Sequence, residues 1–192
     1  MELKNMVALV SRTGRHMQRY NFHGHRQVVG CIPYRYKGNN RGTPSTVDEE
    51  EIEVLVITSQ RKGKGMLFPK GGWENDESIE DAALRETVEE AGVVGDVEHK
   101  LGKWNFKSKN NETCYEGHMF PLLVKEQLEF WPEKDVRQRI WISVREARKV
   151  CSYWWMKEAL ELLVDRLTTQ ANEDKKTLAR LARAGNLTCS SN

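Results

Sequence analysis

The chain has 192 residues, enough for one compact domain with a substantial core but too few for two ordinary domains and a linker. Its charged fraction of 30% and hydrophobic fraction of 39% are typical of a soluble globular protein, and no apolar run approaches the roughly 20 residues of a membrane span. The formal net charge is +2, and we expect a soluble protein of one domain with no membrane partner.

The first elements predicted along the chain are two strands, at residues 27–36 and 51–58, which are rich in β-branched and other apolar residues. A loop rich in Gly, Asn and charge separates them. A helix should begin after Ser78, which has Asp81 three residues further on, and Gly92 is well placed to end it. These signals predict a helix over residues 79–91.

Later segments predict strands at residues 100–107, 117–125 and 140–143, a short helix at 144–151, and an amphipathic helix from 154 to about 167. We interpret the apolar face of the last helix as core. Residues 1–19 are predicted to be an N-terminal extension, residues 20–167 the domain, and residues 168–192 a peripheral helix with a loose tail. The order of elements predicts an α/β sandwich with a mixed β-sheet.

Cysteines and N-terminal arginines bear on the compartment. Four scattered cysteines without a C-x-x-C pair indicate neither a zinc site nor a disulfide framework, so we predict an intracellular protein, cytoplasmic and extending to the nucleus. The alternative is import into a mitochondrion or chloroplast, because Arg12, Arg15 and Arg19 faintly resemble a transit peptide.

Negative charge is concentrated between residues 71 and 93, which contain eight acidic residues and one basic residue, Arg85. This segment has a charge of −7, which leaves +9 for the rest of the chain. An acidic patch in an otherwise basic protein is what a metal site for a polyanionic substrate would require. The alternative is a solvated acidic helix.

Three carboxylates of the predicted helix, Glu86, Glu89 and Glu90, lie on one face at about 100° per residue. Like charges at this spacing need a compensating cation, and Mg²⁺ or Mn²⁺ prefers oxygen ligands. Gly71 and Gly72 let the backbone approach such an ion closely, so carbonyls of this stretch could join the carboxylates. We also expect Arg85 to pair with Glu77 and fix the loop against the helix.

These positions spell G-x5-E-x7-R-E-x-x-E-E-x-G-V, and the segment resembles the Nudix box. Seven fixed positions of this kind recur by chance in roughly 10⁻⁶ of chains this long. Thr87 is the one departure, at a position that is usually aliphatic. The residues that match are Gly71, Glu77, Arg85, Glu86, Glu89, Glu90, Gly92 and Val93.

The resemblance implies a Nudix-type α/β/α sandwich and a metal-dependent pyrophosphohydrolase. Carried over, Glu86 and Glu90 would be metal ligands, Glu89 the general base, and the Lys70 carbonyl a further metal ligand. Family members differ in which glutamate is the base, so the choice between Glu89 and Glu90 stays open. The residues with structural roles in the motif would be Gly71, Gly72, Glu77, Arg85 and Gly92.

Residues 66–74, with the sequence MLFPKGGWE, resemble the diphosphoinositol polyphosphate phosphohydrolase branch, particularly its plant and fungal members. This resemblance implies hydrolysis of inositol pyrophosphates by a protein that we expect to be a monomer without a nucleic-acid partner. Such substrates call for many cations. The candidates are Arg61, Lys62, Lys64 and Lys70, which lie in ten residues without an acid, and Arg26, Ser59, Lys107, Arg137 and Arg139. Each could instead be a surface residue without a ligand.

Two alternatives remain open. The same chemistry could act on diadenosine polyphosphates, capped RNA or another nucleoside-diphosphate conjugate, for which Trp73, Trp104 and Phe106 could supply a stacking wall, although each is as easily core. The chain could also be a non-catalytic module that binds anions, but such modules usually lose a glutamate of the box and this chain has lost none.

Overall fold

The computed structural model describes residues 10–38, 48–60, 65–108 and 113–186. Most of the predicted loop after the first strand, and residues 187–192 of the predicted C-terminal segment 168–192, therefore lie outside the described residues. The same is true of three predicted substrate ligands, Arg61, Lys62 and Lys64.

Within those ranges the chain forms eight strands and three α-helices, together with a 3-10 turn at Glu49–Glu51. The strands are β1 (Arg26–Tyr36), β2 (Ile52–Thr58), β3 (Met66–Leu67), β4 (Lys70–Gly72), β5 (Val93–Val97), β6 (Gly102–Lys107), β7 (Cys114–Gln127) and β8 (Arg139–Ser143). The helices are α1 (Ile79–Ala91), α2 (Val144–Val150) and α3 (Trp154–Asn186).

All eight strands belong to one mixed sheet, with β1 at its centre. The strand order is β3-β2-β1-β7-β5, while β4 pairs with β1, β6 with β7, and β8 with β2. The pairing of β1 with β7 is parallel and the other pairings are antiparallel. The predicted mixed sheet is confirmed.

Helices α1 and α3 cover opposite faces of this sheet. Cys31 of β1 contacts the Ala83 carbonyl of α1. Gly117, which pairs with Val28, faces Trp155 of α3 instead. Because side chains alternate along a strand, Val28 and Cys31 point to opposite faces. The architecture is therefore an α/β/α sandwich, as predicted, with its apolar core on both sides of β1 and β7.

Both ends of α1 follow the local signals in the sequence. The Ser78 hydroxyl accepts a hydrogen bond from the Asp81 amide at the N-terminus. Gly92 ends the helix in the left-handed conformation, with φ of 60°, which glycine adopts without strain. These caps fix which residues of α1 meet the sheet.

The last helix differs from the prediction. It continues from Trp154 to Asn186 as one helix of 33 residues instead of ending at about Leu167. No proline or glycine interrupts residues 155–184, so nothing local stops it. None of the helices within the described ranges combines the length and apolar content that a bilayer span requires.

Candidate active site

Three glutamates of α1 are buried, and two of them, Glu86 and Glu90, contact strand β4. The exposed fractions are 9% for Glu86, 8% for Glu89 and 6% for Glu90, although carboxylates are rarely buried without a partner. The Glu86 carboxylate occupies the space of a side chain at Gly71, because an ideal Cβ there would lie 2.0 Å from Glu86 Oε2. Glycine is therefore required at position 71 for this close approach.

Arg85 joins the helix to the loop before it. Its Nε and Nη2 donate to the two carboxylate oxygens of Glu77 at 2.8 and 2.7 Å, which is the predicted ion pair. Its Nη1 donates to Glu86 at 2.7 Å and its Nη2 to the Gly72 carbonyl at 3.0 Å. Burial lowers the pKa of Arg85, but hydrogen bonding to Glu77 and the charge of Glu86 outweigh it and raise the pKa overall. Arg85 thus stays charged and holds the loop in register with the helix.

Glu90 is held from two sides. Its Oε2 accepts from the Lys70 amide at 2.8 Å, and its Oε1 accepts from Arg137. The Lys70 carbonyl lies on the same edge of β4 as this amide, since both groups of one residue point to one side of a strand. The predicted carbonyl ligand therefore lies beside Glu90, where its role remains a prediction.

Burial makes the anionic forms of these carboxylates costly. It raises the pKa of Glu86 to about 8, against the opposing effect of Arg85. It also raises the pKa of Glu89, which Arg85 and the Arg12 amide oppose, and that of Glu90, which Lys70 and Arg137 oppose. A site with several carboxylates that resist ionisation favours a cation placed among them.

The donor set suits a hard divalent cation, because it consists of carboxylates and a nearby carbonyl. Among the residues that the structure describes, no three Asp, Glu, His or Cys side chains converge on one point as metal ligands. Arginines engage the carboxylates instead: Arg85 contacts Glu86 and Glu89, and Arg137 contacts Glu90. Cation binding would require these carboxylates to turn from the arginines to the ion.

Sequence reasoning missed two partners of the glutamates. Arg12 donates its main-chain N–H to Glu89 Oε2 at 3.2 Å, and its Nη1 donates to Glu74 at 2.7 Å. Glu133 accepts from Arg137 Nε at 2.5 Å, and its own amide donates to the Glu89 carbonyl at 3.1 Å. Both are far from the helix in sequence, so no local pattern could reveal these contacts.

Two arginines that are predicted to bind substrate, Arg137 and Arg139, donate hydrogen bonds to carboxylates and carbonyls of the protein. Arg137 is buried, and besides Glu90 and Glu133 it donates to the Thr58 carbonyl at 3.0 Å. Arg139 donates to the carbonyls of Ala91 and Gly92 at 2.9 and 2.7 Å and stacks on Trp131. Arg139 therefore caps the C-terminus of α1, which accounts for it without a substrate contact. In this structure Arg137 orients Glu90.

Two further candidates, Arg26 and Lys107, lie near the ends of strands β1 and β6. Arg26, at the start of β1, is held by the Gln18 side chain and lies 6.0 Å from the Tyr115 ring. Lys107 is exposed at the end of β6, and its neighbour Phe106 stacks on Tyr115. Strand alternation therefore directs Lys107 to the face opposite Arg26.

Ser59 directly follows β2, and its amide donates to the Gly65 carbonyl at 3.3 Å. Its phosphate contact remains a prediction.

The three aromatic residues considered for base stacking are already packed. The Arg19 guanidinium lies 4.4 Å from the Trp73 ring. Phe106 stacks on Trp155 with ring centroids 4.7 Å apart, and Trp104 packs against the same ring. Trp104 and Phe106 therefore belong to the core under α3.

Known proteins match both the sequence and the fold. The family model of the NUDIX domain matches residues 24–163. "Nudix hydrolase 17, mitochondrial" of Arabidopsis thaliana is 61% identical over 176 residues, which cover 92% of this chain and 93% of that protein. "Diphosphoinositol polyphosphate phosphohydrolase 3-alpha" of Mus musculus is 32% identical over 133 residues, covering 68% of this chain and 72% of that protein.

A solved structure, "NUDIX hydrolase from Nitrosomonas europaea", superimposes with a TM-score of 0.59 at 19% identity, covering 75% of this chain and 91% of that one. This match supports the fold alone. The fold, the site and the relatives together define a hydrolase that acts on pyrophosphate bonds. The chain belongs to the Nudix family, whose hydrolases generally use divalent cations, and the resemblance seen in the sequence is confirmed.

Proposed function

We propose that this hydrolase removes the β-phosphate from diphosphoinositol polyphosphates with Mg²⁺ or Mn²⁺. The observation that carries the proposal is the position of Lys70. Its amide contacts Glu90, while its Cβ lies against Gly30, on the face of β1 that also carries Arg26. Lys70 therefore places a cation near Glu90, where its charge opposes the rise in the pKa of that carboxylate, while Arg26 lies on the α3 face of the sheet. A substrate with several phosphates beside its diphosphate requires such cations.

In the proposed reaction Glu86 and Glu90, together with the Lys70 carbonyl, would hold the divalent cation, and Glu89 would take the proton of the attacking water. A bound divalent cation supplies charge neutralisation on the phosphoryl oxygens and lowers the pKa of a bound water. Arg85 joins the β4 backbone to the helix through the Gly72 carbonyl and Glu77, and so would keep the carboxylates in place. The remaining phosphates would be bound by Arg26, Lys70 and the basic residues Arg61, Lys62 and Lys64, with Ser59 and Lys107 at the margin.

An inositol substrate fits the described surroundings better than a nucleoside. Trp104 and Phe106 are packed against Trp155, and Arg19 covers one face of Trp73, so a stacking wall is poorly available. The relative from Mus musculus is named for diphosphoinositol polyphosphates, and it matches 68% of this chain. Dinucleoside polyphosphates are the competing substrate class.

The test is a phosphate-release screen followed by NMR, with positional isomers of diphosphoinositol polyphosphates and diadenosine polyphosphates at equal concentration. We expect a higher kcat/KM for at least one inositol pyrophosphate, and a kcat lowered by about 10²–10⁴ in the Glu89→Gln variant. A higher kcat/KM for the dinucleotide would refute the proposed substrate. Binding without any product, unaffected by Mg²⁺, would refute the catalytic role.

We also propose that the protein is an intracellular monomer. Cys31, Cys114 and Cys151 are free thiols, which suits a reducing compartment. The relative from Arabidopsis thaliana is named as mitochondrial, so cytoplasm and mitochondrion are the compartments to compare. Microscopy of the full chain with a fluorescent protein fused at its C-terminus would distinguish these compartments.

A further inference from the structure

A segment before the matched family domain runs across the candidate active site. We call residues 10–19 the N-terminal strap. The family model begins at residue 24, so the strap lies outside it. The strap nevertheless joins the loop before α1 through main-chain hydrogen bonds, from Asn75 to the Met17 carbonyl at 2.8 Å and from Arg19 to the Trp73 carbonyl at 2.8 Å. It is therefore fixed beside the catalytic helix.

One end of the strap contacts the carboxylates. The Arg12 amide donates to Glu89 Oε2 at 3.2 Å, while its guanidinium donates to Glu74 at 2.7 Å and to Asp76 at 3.0 Å. The Ser11 hydroxyl donates to Glu133 at 3.3 Å. The side-chain contacts of Arg12 thus anchor the main chain that directs the Glu89 carboxylate.

The other end of the strap contacts Arg26, a cation that is predicted to bind substrate phosphates. The Gln18 side-chain oxygen accepts from Arg26 Nε, and the Gln18 amide group fills the space beside Gly72, where an ideal Cβ would lie 2.0 Å from it. Arg19 donates to the main-chain carbonyls of Glu74 and Asn75 at 2.9 and 3.1 Å. These bonds hold Gln18 over β4, where it orients the Arg26 guanidinium.

We infer that the strap is a positioning element of the active site, with Arg12 positioning Glu89 and Gln18 positioning Arg26. The inference rests on the proposed function for the roles of Glu89 and Arg26. Neither strap residue needs to touch the substrate. Arg12 fixes the orientation of the base and acts on the chemical step, whereas Gln18 fixes a phosphate-binding cation and acts on substrate affinity. The two residues therefore affect different kinetic constants.

The test compares single variants of the full chain. Arg12→Ala is expected to lower kcat about 10-fold or more with KM within about 2-fold, because small misplacements of a catalytic group are costly. Arg12→Lys, which keeps a cation for Glu74, should recover most of that loss. Gln18→Ala should raise KM about 5-fold with kcat within about 2-fold. Arg15→Ala is the matched control, since the Arg15 side chain is exposed and has no hydrogen bond or ion pair within the described residues.

A second readout does not use turnover. In the metal-free protein, NMR hydrogen exchange at the Arg12 amide should accelerate about 5-fold or more in Glu89→Ala, because its acceptor is removed. The Asn75 amide, which donates to Met17, should exchange as in the wild type. Unchanged exchange at Arg12 would overturn the assigned contact.

Wild-type kcat in Arg12→Ala, a loss confined to KM in that variant, or an equal loss of kcat in Arg15→Ala would each overturn the role of Arg12. All ratios are measured on the pyrophosphate that the wild type cleaves with the highest kcat/KM. If that substrate is a dinucleoside polyphosphate, the proposed inositol substrate is wrong, while the ratios still decide the role of the strap. The two failures are therefore distinguishable.

Discussion

Removal of the Arg85 side chain is the perturbation whose cost follows most directly from the structure. Arg85→Ala leaves Glu77, whose side chain is 7% exposed, without its cation, whereas Glu86 can take up a proton because burial already raises its pKa to about 8. Breaking a buried ion pair by deleting one partner typically costs about 3–5 kcal/mol, because the remaining charge cannot be solvated. We expect the free energy of unfolding to fall by about that amount.

The assay is equilibrium unfolding in urea at pH 7 with EDTA present, so that no divalent cation binds the carboxylates. Arg148→Ala is the control, since Arg148 bridges Glu49 and Glu161 with its side chain 33% exposed, and exposed pairs contribute about 1 kcal/mol or less. A double variant, Arg85→Ala with Glu77→Gln, should be less destabilised than the sum of the single variants by about 1–3 kcal/mol.

A loss below about 1 kcal/mol in Arg85→Ala would refute the reasoning, because that is the range of an exposed pair. Equal losses in Arg85→Ala and Arg148→Ala would refute it as well. Either result would mean that water reaches Glu77 far better than its burial indicates.

Three further predictions concern the site and the sheet. Glu89→Gln should lower kcat by about 10²–10⁴ with an unchanged circular dichroism spectrum, as for loss of a general base, whereas a larger loss in Glu90→Gln would move the base to Glu90. Gly71→Ala should lower kcat by about 100-fold or more in steady-state assays, because the new Cβ would lie 2.0 Å from Glu86 Oε2 and would displace that carboxylate. Wild-type activity would contradict the close approach. Burial raises the pKa of Glu116, but hydrogen bonds from Gln27 and Asn21 outweigh burial and lower the pKa from 4.5 to about 2. The contribution of Glu116 to stability is therefore present above pH 4.5 and lost as the pH falls through about 2. Urea midpoints measured from pH 5 to 2 should therefore fall less steeply in Glu116→Gln, and identical slopes would contradict this assignment.

Local rules account for the parts of the site that the sequence predicted correctly. Glu86, Glu89 and Glu90 share a face because residues three and four apart are neighbours on any α-helix. The ends of α1 follow from a serine that caps the first turn and a glycine that adopts a left-handed conformation. The Arg85–Glu77 pair needed only a loop short enough to bring the two side chains together.

The length of α3 was predicted less well. Its apolar face weakens after Leu167, which indicated an end, yet no residue there terminates a helix and hydrogen bonding continues to Asn186. Periodicity reports which residues pack against the sheet, but it does not report where a helix stops once it leaves the sheet.

The sequence by itself determined helix α1 with its three glutamates, the residues that cap it and the chemical class of the reaction, because each depends on residues close together in the chain. Only the tertiary structure decided which distant groups meet that helix. It brought Arg12 to Glu89, Arg137 to Glu90, and Arg139 to the carbonyls at the C-terminus of α1. A charged side chain takes the partner that reaches it in space, and spacing in the sequence does not fix that partner across 77 residues, the separation of Arg12 and Glu89.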